Sequence, residues 1–157
     1  MLGHVRTVRA ALAASALLAA LLTARSAGAA KGCNVSNVTP MSFGSYPLMS
    51  PSPIDSVGEL TVECAEPTPV RIILGRGISG HQAPRELRSR GASLLYNLFS
   101  DAARTVVWGD GAEGTQAVVG VAPGGQPLRL SIFGRIFPLQ AVPPGTYTDR
   151  IIVVVVF

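Results

Sequence analysis

Few residues of this chain have the types and spacing that catalysis needs. Ser79 and His81 stand two residues apart in a glycine-rich stretch, and a nucleophile and its base work only where the fold holds them rigidly. No G-x-S-x-G elbow accompanies them. We interpret His81 as a solvated loop histidine, and the sequence predicts no catalytic residue and no cofactor.

Two clusters of charged residues are candidate ligand sites. Asp110 and Glu113 resemble part of a calcium loop but lack its alternating oxygen ligands, so we interpret the segment as a turn and predict no metal site. Arg85, Arg88 and Arg90 have no interleaved aromatic side chains, which a site for single-stranded nucleic acid requires. We interpret the arginines as a solvated strand face or an edge guard, and expect no nucleic-acid partner.

The two cysteines, Cys33 and Cys64, have the clearest chemistry. Their spacing fits neither a Cys-x-x-Cys redox site nor a zinc site. In an exported protein an even cysteine count indicates one disulfide, and closing a loop of about 30 residues stabilises a fold by about 3 to 4 kcal/mol. Two buried free thiols are the alternative.

Export is indicated by the first 29 residues. Basic residues precede an apolar run from Ala10 to Leu22, and Ala27 to Ala29 are small residues of the kind that a signal peptidase requires. We predict a signal peptide over 1–29 and one mature domain over 30–157. The apolar run is too short to span a bilayer, so no membrane insertion is expected. Cleavage leaves 10 of the 13 basic residues against 9 acidic ones, so charge gives no argument for nucleic acid.

The elements that must position these residues have the pattern of an all-β protein. Only 83–90 could form a helical turn, and strands at this spacing favour an immunoglobulin-like two-sheet sandwich. Tyr147 follows a Pro-Gly corner and is expected to be either a tyrosine corner or a half-buried strand aromatic. Apolar runs between glycine and proline clusters predict strands at 60–64, 70–74, 94–99, 105–108, 117–119, 128–133 and 151–157.

The last predicted strand, Ile151 to Phe157, is apolar at every position. Such a run is typical of a strand deep in a sheet, with neighbours on each side. Because no later segment of this sequence can flank it, we expect an edge that a partner completes by adding a strand. By the period of two, one face carries Ile151, Val153, Val155 and Phe157, and the other carries Ile152, Val154 and Val156.

Several segments, in order along 33–157, resemble the spore coat protein U domain family. This family includes spore coat proteins and subunits of archaic chaperone-usher pili. The segments that carry the resemblance are Cys33–Val35, Phe43–Pro47, Gly58–Cys64, Leu95–Ala102, Val107–Asp110, Ile132–Ile136 and Gly145–Asp149.

The resemblance implies a sandwich that lacks its final strand, with Cys33 and Cys64 paired. It also implies partners that fill the vacancy by strand addition, first a periplasmic chaperone and then a neighbouring pilin or coat subunit. On this view the partner-strand edge consists of Ile151, Val153, Val155 and Phe157.

Two departures from the family pattern shape the functional prediction. Cleavage after Ala29 would leave too few residues before Cys33 for a donor strand, and the outer-face positions Ile152, Val154 and Val156 are apolar where the family has Thr or Ser. We predict an exported structural or adhesive subunit at a bacterial cell or spore surface. The departures favour a terminal subunit, or a coat protein that packs through the outer-face residues Ile152, Val154 and Val156, over a shaft subunit. The alternative is a secreted module that binds a ligand through loops around Trp108 to Glu113.

Overall fold

A computed structural model describes residues 32–157 as two packed antiparallel sheets. The predicted signal peptide lies outside the described residues. No helix occurs within 32–157, and none there could cross a membrane. The strands are β1 (Cys33–Thr39), β2 (Ile54–Cys64), β3 (Thr68–Leu74), β4 (Arg85–Ser89), β5 (Ala92–Phe99), β6 (Val118–Ala122), β7 (Pro127–Ile136) and β8 (Val153–Val156).

The five-stranded sheet has the order β1-β2-β7-β5-β4, and the three-stranded sheet has the order β6-β3-β8. Alternation along the strands directs one face of each sheet into a shared core. In β3, for example, Val70, Ile72 and Leu74 are buried while Arg71 is exposed. The largest fully buried apolar side chains are those of Trp108, Leu60, Ile72, Leu74, Ile136 and Val62.

Most predicted strands overlap observed ones, although the bounds differ for 117–119 and 151–157, and two further segments have a different structure. The stretch 105–108 makes only isolated bridges, from Val107 to Phe99 and from Trp108 to Gln116. The segment 83–90 is not a helical turn, because it contains β4, which forms a hairpin with β5 through Arg90 and Gly91. Both turn residues have positive φ, 39° and 90°, as a two-residue hairpin turn requires.

The predicted disulfide is confirmed. Cys33 and Cys64 face each other at the end of the β1–β2 ladder and are joined by a disulfide. The bond anchors β1, an edge strand whose remaining residues are all exposed, to the fully buried part of β2.

The prediction that Arg85 lies on a solvated face is wrong, because its side chain is fully buried. Its guanidinium donates to the main-chain oxygens of Leu74 (3.2 Å), Gly75 (3.0 Å) and Trp108 (2.8 Å). These bonds tie β4 of one sheet to the end of β3 in the other. Burial lowers the pKa of Arg85. Arg88, on the opposite face of β4, is exposed as expected.

Candidate functional site

The C-terminal strand lies at an edge of the three-stranded sheet. Within the described chain β8 pairs with β3 alone, and only four residues of the apolar run form the strand. The strand is therefore shorter than the predicted 151–157, and it lies at a sheet edge as expected. The segment before β8 pairs with the other sheet instead, where Thr148 and Arg88 exchange main-chain hydrogen bonds of 2.8 and 3.1 Å.

The register shows which main-chain groups of β8 are left open. The Gly75 N–H donates to the Ile152 oxygen (2.8 Å), and hydrogen-bonded pairs alternate along an antiparallel ladder. The main-chain groups of Val154 therefore point toward β3, whereas those of Val153 and Val155 point away from it. No strand within 32–157 lies on that side.

The side chains of this segment divide between the two faces. Ile151, Val153 and Val155 are half-buried and pack against the core. Phe157 was expected on the same face but is 58% exposed, because the strand ends one residue before it. The three residues assigned to the outer face are exposed: Ile152 by 68%, Val154 by 43% and Val156 by 50%.

An apolar cleft of about 640 Å³ adjoins the segment that becomes β8. Residues 41–46 form one wall, and 142–149 form the other. The lining side chains from the five-stranded sheet and the two walls are mostly apolar, and include Met41, Phe43, Tyr46, Leu87, Leu94, Ile136, Val142 and Tyr147. The cleft is thus lined by residues 142–149, which precede β8 in the sequence, and no residue of β8 lines it.

The first wall of the cleft depends on a glycine in β7. A Cβ at Gly134 would overlap the Met41 sulfur and lie 2.7 Å from Phe43 Cζ, so only glycine lets this wall lie on the sheet. The Phe43 ring also meets Tyr96 edge to face, with ring centroids 6.0 Å apart. The Tyr46 hydroxyl accepts a hydrogen bond from the Gln140 N–H (2.8 Å).

The second wall is held by two tyrosines. The Tyr147 hydroxyl donates to the Pro143 oxygen (2.8 Å), which is a bond back to the preceding connection of the kind expected for a tyrosine corner. The Tyr96 hydroxyl donates to Asp149 (2.6 Å), which also accepts the Ile78 N–H (2.7 Å). Burial, reinforced by Asp149, raises the pKa of Tyr96, so its hydroxyl stays protonated and keeps this bond.

The polar groups of the loop at 108–113 are engaged within the protein. Trp108 is 1% exposed and its Nε1–H donates to the Ile72 oxygen (2.9 Å). Arg76 forms ion pairs with Asp110 and Glu113. The Gln82 N–H and Arg76 lower the pKa of Glu113. This segment has the turn predicted for it, and its charges are neutralised locally.

The remaining candidates do not come together as a chemical site. Ser79 and His81 meet through the hydroxyl of one and the main chain of the other. Across residues 32–157 no group of three or more His, Cys, Asp or Glu could hold a metal. The cleft residues Met41 and Phe43, and the Gly134 beneath them, were not assigned from the sequence. Two of these three fall in segments that carry the family resemblance.

Two facing sheets, one of them ending at an open strand, define an immunoglobulin-like β-sandwich with an unfilled edge. The chain belongs to the Spore Coat Protein U domain family, which matches residues 18–154. It is similar to Protein U of Myxococcus xanthus, with 28% identity over 130 residues that cover 74% of this chain and 71% of that protein.

A solved structure has the same fold. It is the CsuC–CsuE chaperone–tip adhesion subunit pre-assembly complex from archaic chaperone-usher Csu pili of Acinetobacter baumannii. The match has a TM-score of 0.51 and 20% sequence identity, and it covers 80% of this chain. This chain spans 39% of the length of the solved chain.

Proposed function

We propose that this chain is an exported, non-enzymatic structural subunit of a bacterial surface assembly, completed by a β-strand that a partner donates to β8. The observation that carries the proposal is the open main-chain edge of β8 at Val153 and Val155; the segment just before β8 lines a cleft. Unpaired main-chain groups at a sheet edge are a template for strand addition.

The donated strand would make two kinds of contact. Its main chain would pair with Val153 and Val155, which supplies affinity that does not depend on sequence. Its alternate side chains would enter the cleft and cover Met41, Phe43 and Val142. Each buried methylene contributes about 0.8 kcal/mol, so the apolar side chains of the donor would set register as well as strength.

The relatives support the class of partner. The solved structure is a complex of a tip adhesion subunit with its chaperone before assembly. Protein U of Myxococcus xanthus is a second similar protein. We extend this to a periplasmic chaperone that occupies the edge in transit and a neighbouring pilin or coat subunit that replaces it at the cell or spore surface. Strand addition serves a pilus and a spore coat equally.

The domain boundaries and the position in the assembly are part of the proposal. We place the signal peptide at 1–29 and the β-sandwich at 30–157. A mature N-terminus at Ala30 would leave no donor strand before Cys33, which makes the subunit terminal. Sequencing the N-terminus of the exported protein tests this, since a start well before Ala30 would restore a donor segment.

Proline substitutions on β8 test the strand edge directly. Proline is tolerated in an edge strand where the N–H it removes faces solvent. Val155→Pro should leave a folded protein that no longer binds a synthetic peptide of alternating valine and threonine. Val154→Pro is the matched control, because it removes a bond to β3 and should destabilise the fold. If Val155→Pro still binds the peptide as the unsubstituted protein does, the proposed edge is wrong.

A further inference from the structure

The outer face of the three-stranded sheet carries an apolar surface that strand addition does not use. β6 contributes two exposed valines, Val119 and Val121, which are 71% and 62% exposed. The outward residues of β3 and β8 continue this surface. We define the outer apolar face as Pro69, Ile73, Val119, Val121, Ile152, Val154 and Val156.

The strand register makes these residues neighbours. Val119 of β6 and Val156 of β8 both lie opposite Arg71 of β3, and Ile73 lies opposite Val154. Side chains of directly opposite residues on one face of a sheet are in contact range, so Pro69 adjoins Val121 and Ile73 adjoins Val154, while Arg71 lies between Val119 and Val156.

One charge lies within this surface. Arg71 is the single charged residue among the outward positions of the three strands. Its Nη2 donates to the main-chain oxygen of Asp110 (2.6 Å), on the loop that precedes β6. The guanidinium is therefore hydrogen-bonded to another segment of the protein, and the outward strand positions offer no acidic group to a basic partner.

The outer face of the five-stranded sheet has a different composition. Asp55 and Arg135 form an ion pair there with distances of 2.7 and 2.9 Å, and Arg129 faces Glu59 at 3.9 Å. Opposite charges are thus paired on this face, whereas the outward strand positions of the smaller sheet carry one charge, Arg71.

We propose that a second copy of this chain packs on the outer apolar face, sheet against sheet. Flat faces of β-branched residues are what two sheets bury when they stack about 10 Å apart. Five side chains that are 43% to 71% exposed present on the order of 500 Å² of apolar surface, the size at which a patch on a soluble protein marks an interaction site.

The area argues for a weak contact between like copies. Two such faces bury on the order of 1,000 Å² together, the lower limit for a specific interface. A contact of this size forms weakly between free molecules and more strongly where a coat or neighbouring fibres bring copies of the subunit together. A two-fold arrangement lets the same residues serve both copies. Strand addition uses the main-chain edge of β8, whereas this contact uses outward side chains of all three strands. Because β3 separates Val119 from that edge, a substitution at Val119 tests the contact alone.

Sedimentation velocity of the mature exported protein tests the proposal, over a range from low micromolar to about 1 mM. The unsubstituted protein should dimerise as its concentration rises. Val119→Lys should raise the midpoint of dimerisation by at least about tenfold, because it buries a charge in the contact. Val57→Lys is the matched control, since Val57 is 54% exposed on the outer face of the other sheet, and it should leave the midpoint unchanged.

Disulfide trapping shows which face meets which. Both native cysteines are bonded to each other, so a cysteine placed at Val119 is the only thiol. Oxidation should cross-link Val119→Cys into dimers and leave Val57→Cys monomeric. The proposal would be overturned if the two cysteine variants cross-linked equally, or if the unsubstituted protein stayed monomeric at every concentration. It would also be overturned if Val155→Pro abolished the dimer and Val119→Lys did not. The proposal would also be overturned if the outer apolar face bound phosphatidylcholine vesicles and no second copy of the chain.

Discussion

The two sheets of this sandwich meet solvent in opposite ways. On the five-stranded sheet, opposite charges lie beside one another, as with Asp55, Arg135 and Arg104. On the three-stranded sheet the outward residues are valine, isoleucine and proline around a single arginine. Both faces come from one chain of mixed composition. The two faces differ because the charged residues lie on the outer face of one sheet and the apolar residues on that of the other.

The edge strands of the five-stranded sheet are protected, whereas the edge strand β8 of the three-stranded sheet is not. On the five-stranded sheet, β4 is capped at Arg88 by main-chain bonds from Thr148, and β1 has an irregular register between Val35 and Asn37 and a disulfide at its end. These are devices that protect an edge. β8 has none of them, which locates the contacts of the proposed assembly on the smaller sheet.

The largest expected effect comes from breaking the link between the sheets. Arg85→Ala removes the donor to three buried main-chain oxygens and leaves a cavity, so it should cost about 4 kcal/mol of unfolding free energy. Arg88→Ala, on the exposed face of the same strand, is the control and should cost less than about 0.5 kcal/mol. Urea denaturation measures both. Similar losses from the two would show that Arg85 does not link the sheets.

The next effect tests how the five-stranded sheet holds its edge. Replacing both Cys33 and Cys64 with alanine frees a loop between residues 31 apart in sequence, and should cost about 3 kcal/mol. The strands of the smaller sheet should remain paired under native conditions. Thiol labelling of denatured, unreduced wild-type protein accompanies the denaturation curve, and recovery of two free thiols would refute the bond.

A smaller effect is expected at the cleft that adjoins the open edge. Gly134→Ala should push Met41 and Phe43 off β7, cost about 2 kcal/mol as an overpacking change, and weaken binding of the valine-threonine peptide. Gly120→Ala is the matched control, since a Cβ there meets nothing within 4 Å. If Gly134→Ala left peptide binding unchanged, the cleft would not contribute to binding of the donated strand.

The smallest effect concerns the ion pairs of the larger sheet. The hydrogen bonds from Arg135 hold the pKa of Asp55 below its ordinary value, so the pair contributes fully above about pH 4 and its contribution is lost as the pH falls through the lowered pKa. Asp55→Asn should cost less than about 1 kcal/mol at pH 7 and flatten the acid limb of the stability curve. An unchanged acid limb would show that the pair adds nothing.

The sequence patterns predict the sandwich because its long strands alternate cleanly. β3 has buried residues at every second position, and the inward positions of β2 and β7 are buried or half-buried. The cysteines follow the rule for an exported protein. β4 was missed because Leu87 is its one apolar residue, so a short strand of Arg, Glu and Ser has no strand signal.

The candidate site was only partly predictable, for a related reason. The alternation assigned the two faces of β8, but it does not show that the chain before β8 crosses to the other sheet. The cleft wall at 41–46 has no regular secondary structure and therefore no periodic signal. The burial of Arg85 depends on main-chain oxygens from two other segments, which no local pattern shows.

Amide hydrogen exchange along β8, resolved by residue, tests the central claim most directly. In the protein alone, Val153 and Val155 should exchange quickly because their N–H groups face the open edge, whereas Val154 and Val156 should be protected by β3. Adding the valine-threonine peptide should protect Val153 and Val155 and leave the other two unchanged. Equal protection of all four residues before the peptide is added, or new protection on β6 alone, would contradict the account.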